Sequence, residues 1–269
     1  MNFKNIYIQI DLLPIKNIFK CNLIMTKLIF LGCLSSTKYK KTCENAVRLI
    51  KMYDEEYAVM DDVPCCGALA YHVASDEELI NHAKFVNDWF KSHDITDIVT
   101  ICAGCYNYLT RYYNQLLGPE FKVKVRHLLQ LMATPENASK LNLKHNGKKI
   151  SVCYHDACHL KNAVVPIIDE PRMILNSIEN VSVFEMENRG KNSICCGAGG
   201  GVYSIIKENS DYNAKTIFDQ MRKGKVLLTA CPFCYTAFLR IKKENNIRKP
   251  VLKFEDFIIK IIDGVDPLK

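Results

Sequence analysis

One spacing of cysteines occurs twice in this 269-residue chain and constrains it more than any other feature. Cys33 is followed by Cys65-Cys66-Gly67 and then by Cys102-x-x-Cys105; Cys158 is followed by Cys195-Cys196-Gly197 and then by Cys231-x-x-Cys234. The gap before the vicinal pair is 31 residues in the first copy and 36 in the second, and the gap after the glycine is 34 and 33. Equivalent cysteines are offset by 125 to 130 residues, so each copy has the size of a small domain. The repeat takes up ten of the 13 cysteines and gathers five thiols in each copy.

A high cysteine count has three competing causes: a secreted disulfide scaffold, a metal site or a catalytic thiol. The scaffold reading needs an export signal, and none is recognisable. The apolar stretch from Met1 to Thr26 is interrupted by Asp11 and Pro14, and no small-residue cleavage site follows it. Reduced, metal-binding cysteines in a cytoplasmic protein fit better. Met25 opens a compact strand-to-cysteine segment, so residues 1–26 read as a tail that need not belong to the native chain, with Met1 and Met25 as alternative starts. No run of eighteen apolar residues is present, which gives the chain no membrane-spanning helix of its own. The net charge of +7 is spread in small lysine knots without an aromatic-interleaved basic stripe, which argues against nucleic-acid binding. It leaves room for docking to an acidic partner.

Short apolar runs alternate with helical patterns in both halves, which predicts an α/β fold of two pseudo-symmetric Rossmann-like halves. Each half is expected to be a small, mainly parallel sheet flanked by helices. The first domain is expected over residues 27–140 and the second over residues 147–269, with the boundary around Pro135–Gly147. In the first half, strands are expected at Leu28–Leu31, Tyr57–Met60, Asp97–Ile101 and Phe121–Val125. Helices are expected at Thr42–Met52, from a Ser75-x-x-Glu78 capping box to about His93, and after Gly104. In the second half, strands are expected at Lys149–Cys153, Val181–Glu185 and Val226–Thr229. Helices are expected at Pro171–Ile178, Tyr203–Arg222 and from Cys231 to Asn245. Every cysteine motif follows a strand. In open parallel sheets ligands sit beyond the carboxyl ends of the strands, so the five thiols of each half should meet at one sheet edge.

Zinc is the first competitor for such a site, since two Cys-x-x-Cys units could supply tetrahedral ligands. Zinc takes four ligands and each half offers five. Neighbouring side chains of an extended vicinal pair also point to opposite faces. Gly67 and Gly197 permit a sharp turn that brings both sulfurs to one body. A polynuclear iron–sulfur cluster can use adjacent thiolates on different irons, so iron–sulfur is the preferred reading, with zinc in one site as the minority alternative. The run Gly197-Ala198-Gly199-Gly200-Gly201-Val202 fails the dinucleotide fingerprint, because Val202 stands where the third glycine belongs. Its glycines read better as close approach of backbone to a cluster or substrate. His155 and His159 flank Cys158 and are candidate ligands or catalytic proton donors for a thiolate product, with Asp156 of the same standing; all three also read as groups that only support the ligands or as ordinary loop polar groups. Cys21, Cys43 and Cys153 fall outside the repeat and carry no expected chemistry. Tyr106, Tyr112 and Tyr113 follow the first Cys-x-x-Cys and read as core packing. No flavin or nicotinamide fingerprint is present, so electrons must arrive from another protein.

A lone Cys, Cys-Cys-Gly and Cys-x-x-Cys, in duplicate, resembles the cysteine-rich CCG domain of the catalytic iron–sulfur subunit of heterodisulfide reductase, over Lys27 to Lys269. Similar domains occur in components of thiol:fumarate reductase, succinate dehydrogenase, anaerobic glycerol-3-phosphate dehydrogenase, glycolate oxidase and lactate-utilisation proteins. The resemblance implies one non-cubane [4Fe–4S] cluster on Cys33, Cys65, Cys66, Cys102 and Cys105. It implies a second on Cys158, Cys195, Cys196, Cys231 and Cys234. Gly199, Gly200 and Gly201 would line the cavity between them, and a small-molecule disulfide would be split there, one thiolate to each cluster. It also implies flavin or ferredoxin-type partner subunits and a cytoplasmic protein, at most peripheral to the membrane through a partner. The alternative within the resemblance is an electron-transfer subunit of a succinate/fumarate, lactate or glycolate dehydrogenase; outside it stands a zinc-stabilised binding module.

Overall fold

The computed structural model describes residues 26–138, 140 and 143–268, so Cys21 and the N-terminal tail lie outside the described residues. The first half contains β1 (Lys27–Phe30), α1 (Cys33–Lys38), α2 (Lys40–Tyr53), α3 (Asp76–Ser92), β2 (Asp97–Thr100), α4 (Ala103–Asn107), α5 (Tyr113–Leu117), β3 (Lys124–His127) and α6 (Leu128–Met132). After α7 (Pro135–Ala138), the second half contains β4 (Ile150–His155), α8 (Cys158–Lys161), α9 (Glu170–Ser177), β5 (Val181–Val183), α10 (Val202–Ile205), α11 (Lys207–Asp219), β6 (Val226–Thr229), α12 (Pro232–Glu244), β7 (Val251–Lys253) and α13 (Phe254–Ile262).

Both sheets are parallel throughout, ordered β1-β2-β3 and β5-β4-β6-β7. A parallel bridge from Ala58 to Leu28 supplies the missing edge of the first sheet, so the two halves share one topology. Here the expected strand Tyr57–Met60 is reduced to a single bridge. Tyr57 is drawn wholly into the core with its hydroxyl on Asp97 at 2.5 Å, Val59 faces solvent, and Asp62 turns the chain at φ 58°. The strand expected at Phe121–Val125 lies instead at Lys124–His127, because Phe121 packs its ring against Tyr113, 5.1 Å away. The long helix expected at Tyr203–Arg222 breaks at Ile206 (φ −133°, ψ 76°), where consecutive β-branched residues weaken the helix. Strand β7 and helix α13 had no counterpart in the expectations above.

The two halves pack through one continuous apolar core that runs from Ile29, Leu49 and Leu128 to Val152, Phe238 and Ile258. Polar ties reinforce the seam between α2 and α13. Thr42 donates to Asp256 at 2.7 Å, and Arg48 makes a bidentate pair with Asp263. The capping box forms as expected: Ser75 Oγ accepts from Glu78 N–H while the Glu78 carboxylate accepts from Ser75 N–H. Such a cap is worth about 1 kcal/mol.

An analogous cap starts α6, where His127 Nδ1 accepts from Leu129 N–H. Burial, with the charge of Lys253 nearby, holds the His127 pKa down at about 3. The unfolded imidazole takes its proton near 6.5. The folded-state pKa is the lower one, so the stabilisation is complete above the unfolded value and is lost as pH falls toward the folded one. His127→Asn keeps an acceptor at the cap and removes the titrating ring. It should flatten the acid limb by on the order of 3 kcal/mol between about pH 6.5 and about pH 4. Urea melts across that range check it; equal acid slopes in the two proteins would refute it.

Candidate metal centres

Strand ends deliver the thiols. Cys33 follows β1, Cys102 follows β2, Cys158 follows β4 and Cys231 follows β6, each at the carboxyl end of its strand. Thr100 Oγ1 accepts from Cys102 N–H at 3.2 Å, and Thr229 Oγ1 accepts from Cys231 N–H at 3.4 Å, so equivalent threonines set the exits from β2 and from β6. The vicinal pairs arrive on loops whose glycines have left-handed φ, +87° at Gly67 and +69° at Gly197. A Cβ at Gly197 would stand 2.8 Å from Ser210 Cα, and one at Gly67 would stand 2.7 Å from the His82 ring, so neither turn tolerates a side chain.

Side-chain contacts run through the first set in the order Cys33–Cys65–Cys66–Cys105–Cys102, with Cys66 Sγ 3.4 Å from Cys105 Sγ. The second set runs Cys158–Cys195–Cys196–Cys234–Cys231, with Cys196 Sγ 3.2 Å from Cys234 Sγ. In both, the lone cysteine and the first member of the vicinal pair lie on the open side, while the other three are buried. Contact with the lone cysteine and with the second of the pair, together with a backbone N–H of Gly67 or Gly197, holds Cys65 and Cys195 well below the usual thiol range. The first cysteine of the vicinal pair thus holds the equivalent place in each set.

The donor sets suit an iron–sulfur group. Five cysteine sulfurs converge in each half, and soft sulfur ligands suit zinc, copper(I) and iron–sulfur clusters. Among the described residues no three or more Cys, His, Asp or Glu side chains surround a point that would hold one ion; the sulfurs are in direct contact instead. All five first-half thiols line one cavity with Gly104 and, from the second half, Phe233. Beside it Gly32 (φ +79°) leaves room that a Cβ would fill, 3.1 Å from Cys105 Sγ.

The remaining candidates separate by place. His159 lies between the halves: a Cβ on Gly104, inside the first Cys-x-x-Cys, would meet its Nδ1 at 3.7 Å, and one on Gly199 would meet its Cε1 at 3.6 Å. Gly200 (φ +63°) approaches His72 of the first half, and Gly201 borders open space. His155 is 1% exposed, stands edge-on to Phe238 at 5.0 Å, and has an unpartnered Nε2; burial lowers its pKa to about 4. Asp156 grips Arg172 through both carboxylate oxygens and accepts from Gly190 N–H, so it braces the loop that leads to Cys195. Cys43 is buried on α2, and Cys153 is buried at the heart of the second half. Tyr113 Oη donates to Cys66 O, Ser210 Oγ donates to Cys196 O, and the His82 ring bonds Cys65 O. His72, His82, Ser210 and Phe233 were missed in the sequence; each is a lone polar or aromatic residue whose partner lies on a different element.

The chain matches the CCG cysteine-rich domain at residues 28–110 and again at 152–239. It is 28% identical over 232 residues to an uncharacterized iron–sulfur protein of Methanocaldococcus jannaschii, covering 82% of this chain and 43% of that protein. It is 27% identical to one component of the dihydromethanophenazine:CoB–CoM heterodisulfide reductase of Methanosarcina acetivorans, covering 88% and 58%. It is 29% identical to one component of the fumarate reductase (CoM/CoB) of Methanothermobacter marburgensis, covering 76% and 40%. The chain thus spans about half the length of the relatives it matches. The two matched segments contain all ten motif cysteines, five in each, and the chain belongs to the CCG cysteine-rich domain family.

Proposed function

We propose that this chain is the iron–sulfur subunit of a heterodisulfide reductase-like oxidoreductase, with residues 27–140 and 147–269 as duplicated domains that each hold one cluster. The observation that carries the reading is the five-thiol chain, repeated in the same order on two sets that meet across one seam. When bound, a pair of [4Fe–4S] clusters would supply one electron each. Cleaving a disulfide to two thiols takes two electrons and two protons, so two sites on opposite sides of one cleft match the stoichiometry. The five cysteines of each half bind, and Gly67 and Gly197 let both sulfurs of a vicinal pair face the same body. Gly199 and Gly200 keep the cleft narrow, and His159, set between Gly104 and Gly199, is the group placed to deliver a proton to a thiolate product. Among the described residues no helix is long and apolar enough to cross a membrane, and electrons would come from a flavin or ferredoxin-type partner.

Similarity to a fumarate reductase component favours a second reading, in which the same clusters only relay electrons for a dehydrogenase. Iron, sulfide and zinc are the first quantities to measure, on protein purified without oxygen. About eight irons and eight sulfides per chain are expected. Zinc alone would end the redox reading, and about four irons would leave one half structural. With eight irons in hand, disulfide reduction by an artificial donor separates the two remaining readings, since a relay subunit would show none.

A further inference from the structure

Strands β3 and β7 end at equivalent places beside the two Cys-x-x-Cys loops: His127 is in register with Thr100, and Lys253 with Thr229. One strand end carries a ring and the other a cation. Lys253 is 0% exposed, and its Nζ crosses the seam to donate to Ile101 O at 3.2 Å. Ile101 is the residue immediately before Cys102. On its own side Lys253 lies one strand from Thr229, whose hydroxyl holds Cys231 N–H. Its acidic neighbour is Glu255, also buried, with Oε1 at 3.2 Å but no well-aligned hydrogen bond. The His127 ring lies near Ile101 and Ala230, the residues before Cys102 and Cys231, and its buried Nε2 makes no hydrogen bond.

Burying an ammonium and a carboxylate costs several kcal/mol per ion and is often matched or bettered by apolar residues. The fold alone does not call for this pair, because the equivalent position in the first half holds a histidine. What the pair does have is position: one cation between two sets of five thiols.

We propose that Lys253 is a positioning residue shared by both metal centres, its charge favouring the electron-rich state of each and its reach to Ile101 holding the two Cys-x-x-Cys loops in fixed relation. This rests on the reading of two clusters given above. The test is a redox titration of both centres, followed by electron paramagnetic resonance at mildly alkaline pH, after iron has been counted. Lys253→Met should shift both midpoint potentials negative, Glu255→Gln should shift both positive, and Lys253→Arg should stay close to the parent protein. Opposite signs in the first two variants are what a purely structural role does not give. Shifts confined to one centre, shifts of one sign in both variants, or unchanged potentials at full iron content overturn the proposal and leave the two-cluster reading standing. If Lys253→Met fails to take up iron, the sign of the Glu255→Gln shift decides alone. A parent chain without iron overturns both together.

Discussion

Replacing Cys195 by serine should strip the second centre and spare the first, lowering iron from about eight to about four per chain. Cys195 is the link on which its set turns. It contacts Cys158 on one side and Cys196 on the other, and it accepts the Gly197 N–H at 3.4 Å. A serine hydroxyl there is a harder ligand that holds its proton more tightly than a thiol, so the soft ligand between Cys158 and Cys196 is lost. Cys65→Ser should do the same to the first centre, because Cys65 holds the equivalent place between Cys33 and Cys66. In either variant two-electron turnover should fall to background while one centre still gives its spectroscopic signal. Cys43→Ser is the control: that thiol sits in α2 against the core, where burial pushes its pKa up to about 12, and its loss should leave iron unchanged. Metal analysis reads all three. Full iron in both Cys65→Ser and Cys195→Ser would sink the ligand assignment.

The legible part of this molecule was the part written in local spacing. Leu28–Leu31, Asp97–Ile101 and Val226–Thr229 are short apolar runs that end at a cysteine, and all three form parallel strands within a residue of the expected bounds. The Ser75-x-x-Glu78 cap was readable because both partners sit within one helical turn. Phe254, Phe257, Ile258 and Ile261 also carry a helical period, so α13 was legible in principle, and the Pro250 and Val251 that precede it mark the entry to β7. The break at Ile206 was harder, since no Gly or Pro lies between Tyr203 and Asp219 and only two consecutive β-branched residues, Ile205 and Ile206, mark it. Contacts across the seam were out of reach. Lys253 and Ile101 are 152 residues apart, and Tyr39 and Thr236 are 197 apart, so no periodicity joins them. For the same reason His159, read as one of two equal candidates beside Cys158, could not be told from His155. Only the fold puts the first beside Gly104 and Gly199 and the second in the core.

Removing Asp156 should unhinge the second half more than any single change outside the cysteines. Its carboxylate is 0% exposed; Arg172 holds both oxygens, at 2.7 and 2.9 Å, and Gly190 N–H adds a third bond at 2.7 Å. The backbone carbonyl of the same residue accepts from Ser193 Oγ at 2.7 Å. Two residues on stands Cys158, and Gly190 and Ser193 lie on the loop that ends at Cys195, so one residue sets the distance between the first two thiols of the set. Asp156→Ala leaves a nearly buried guanidinium with Glu185 as its remaining carboxylate and leaves the Gly190 N–H without its acceptor. Breaking a buried pair in this way costs about 3–5 kcal/mol. Glu185→Ala takes away the more exposed partner of the same arginine and should cost about 1 kcal/mol or less. In the first half Leu31 stands in the corresponding place, where no carboxylate can form such a clasp, and Gly32 turns the chain at φ 79°. Asp156→Ala should therefore lose iron from the second centre and keep it in the first, with the urea midpoint falling well below that of Glu185→Ala. Equal stability in the two variants would show that the charge at Asp156 contributes nothing beyond an exposed ion pair.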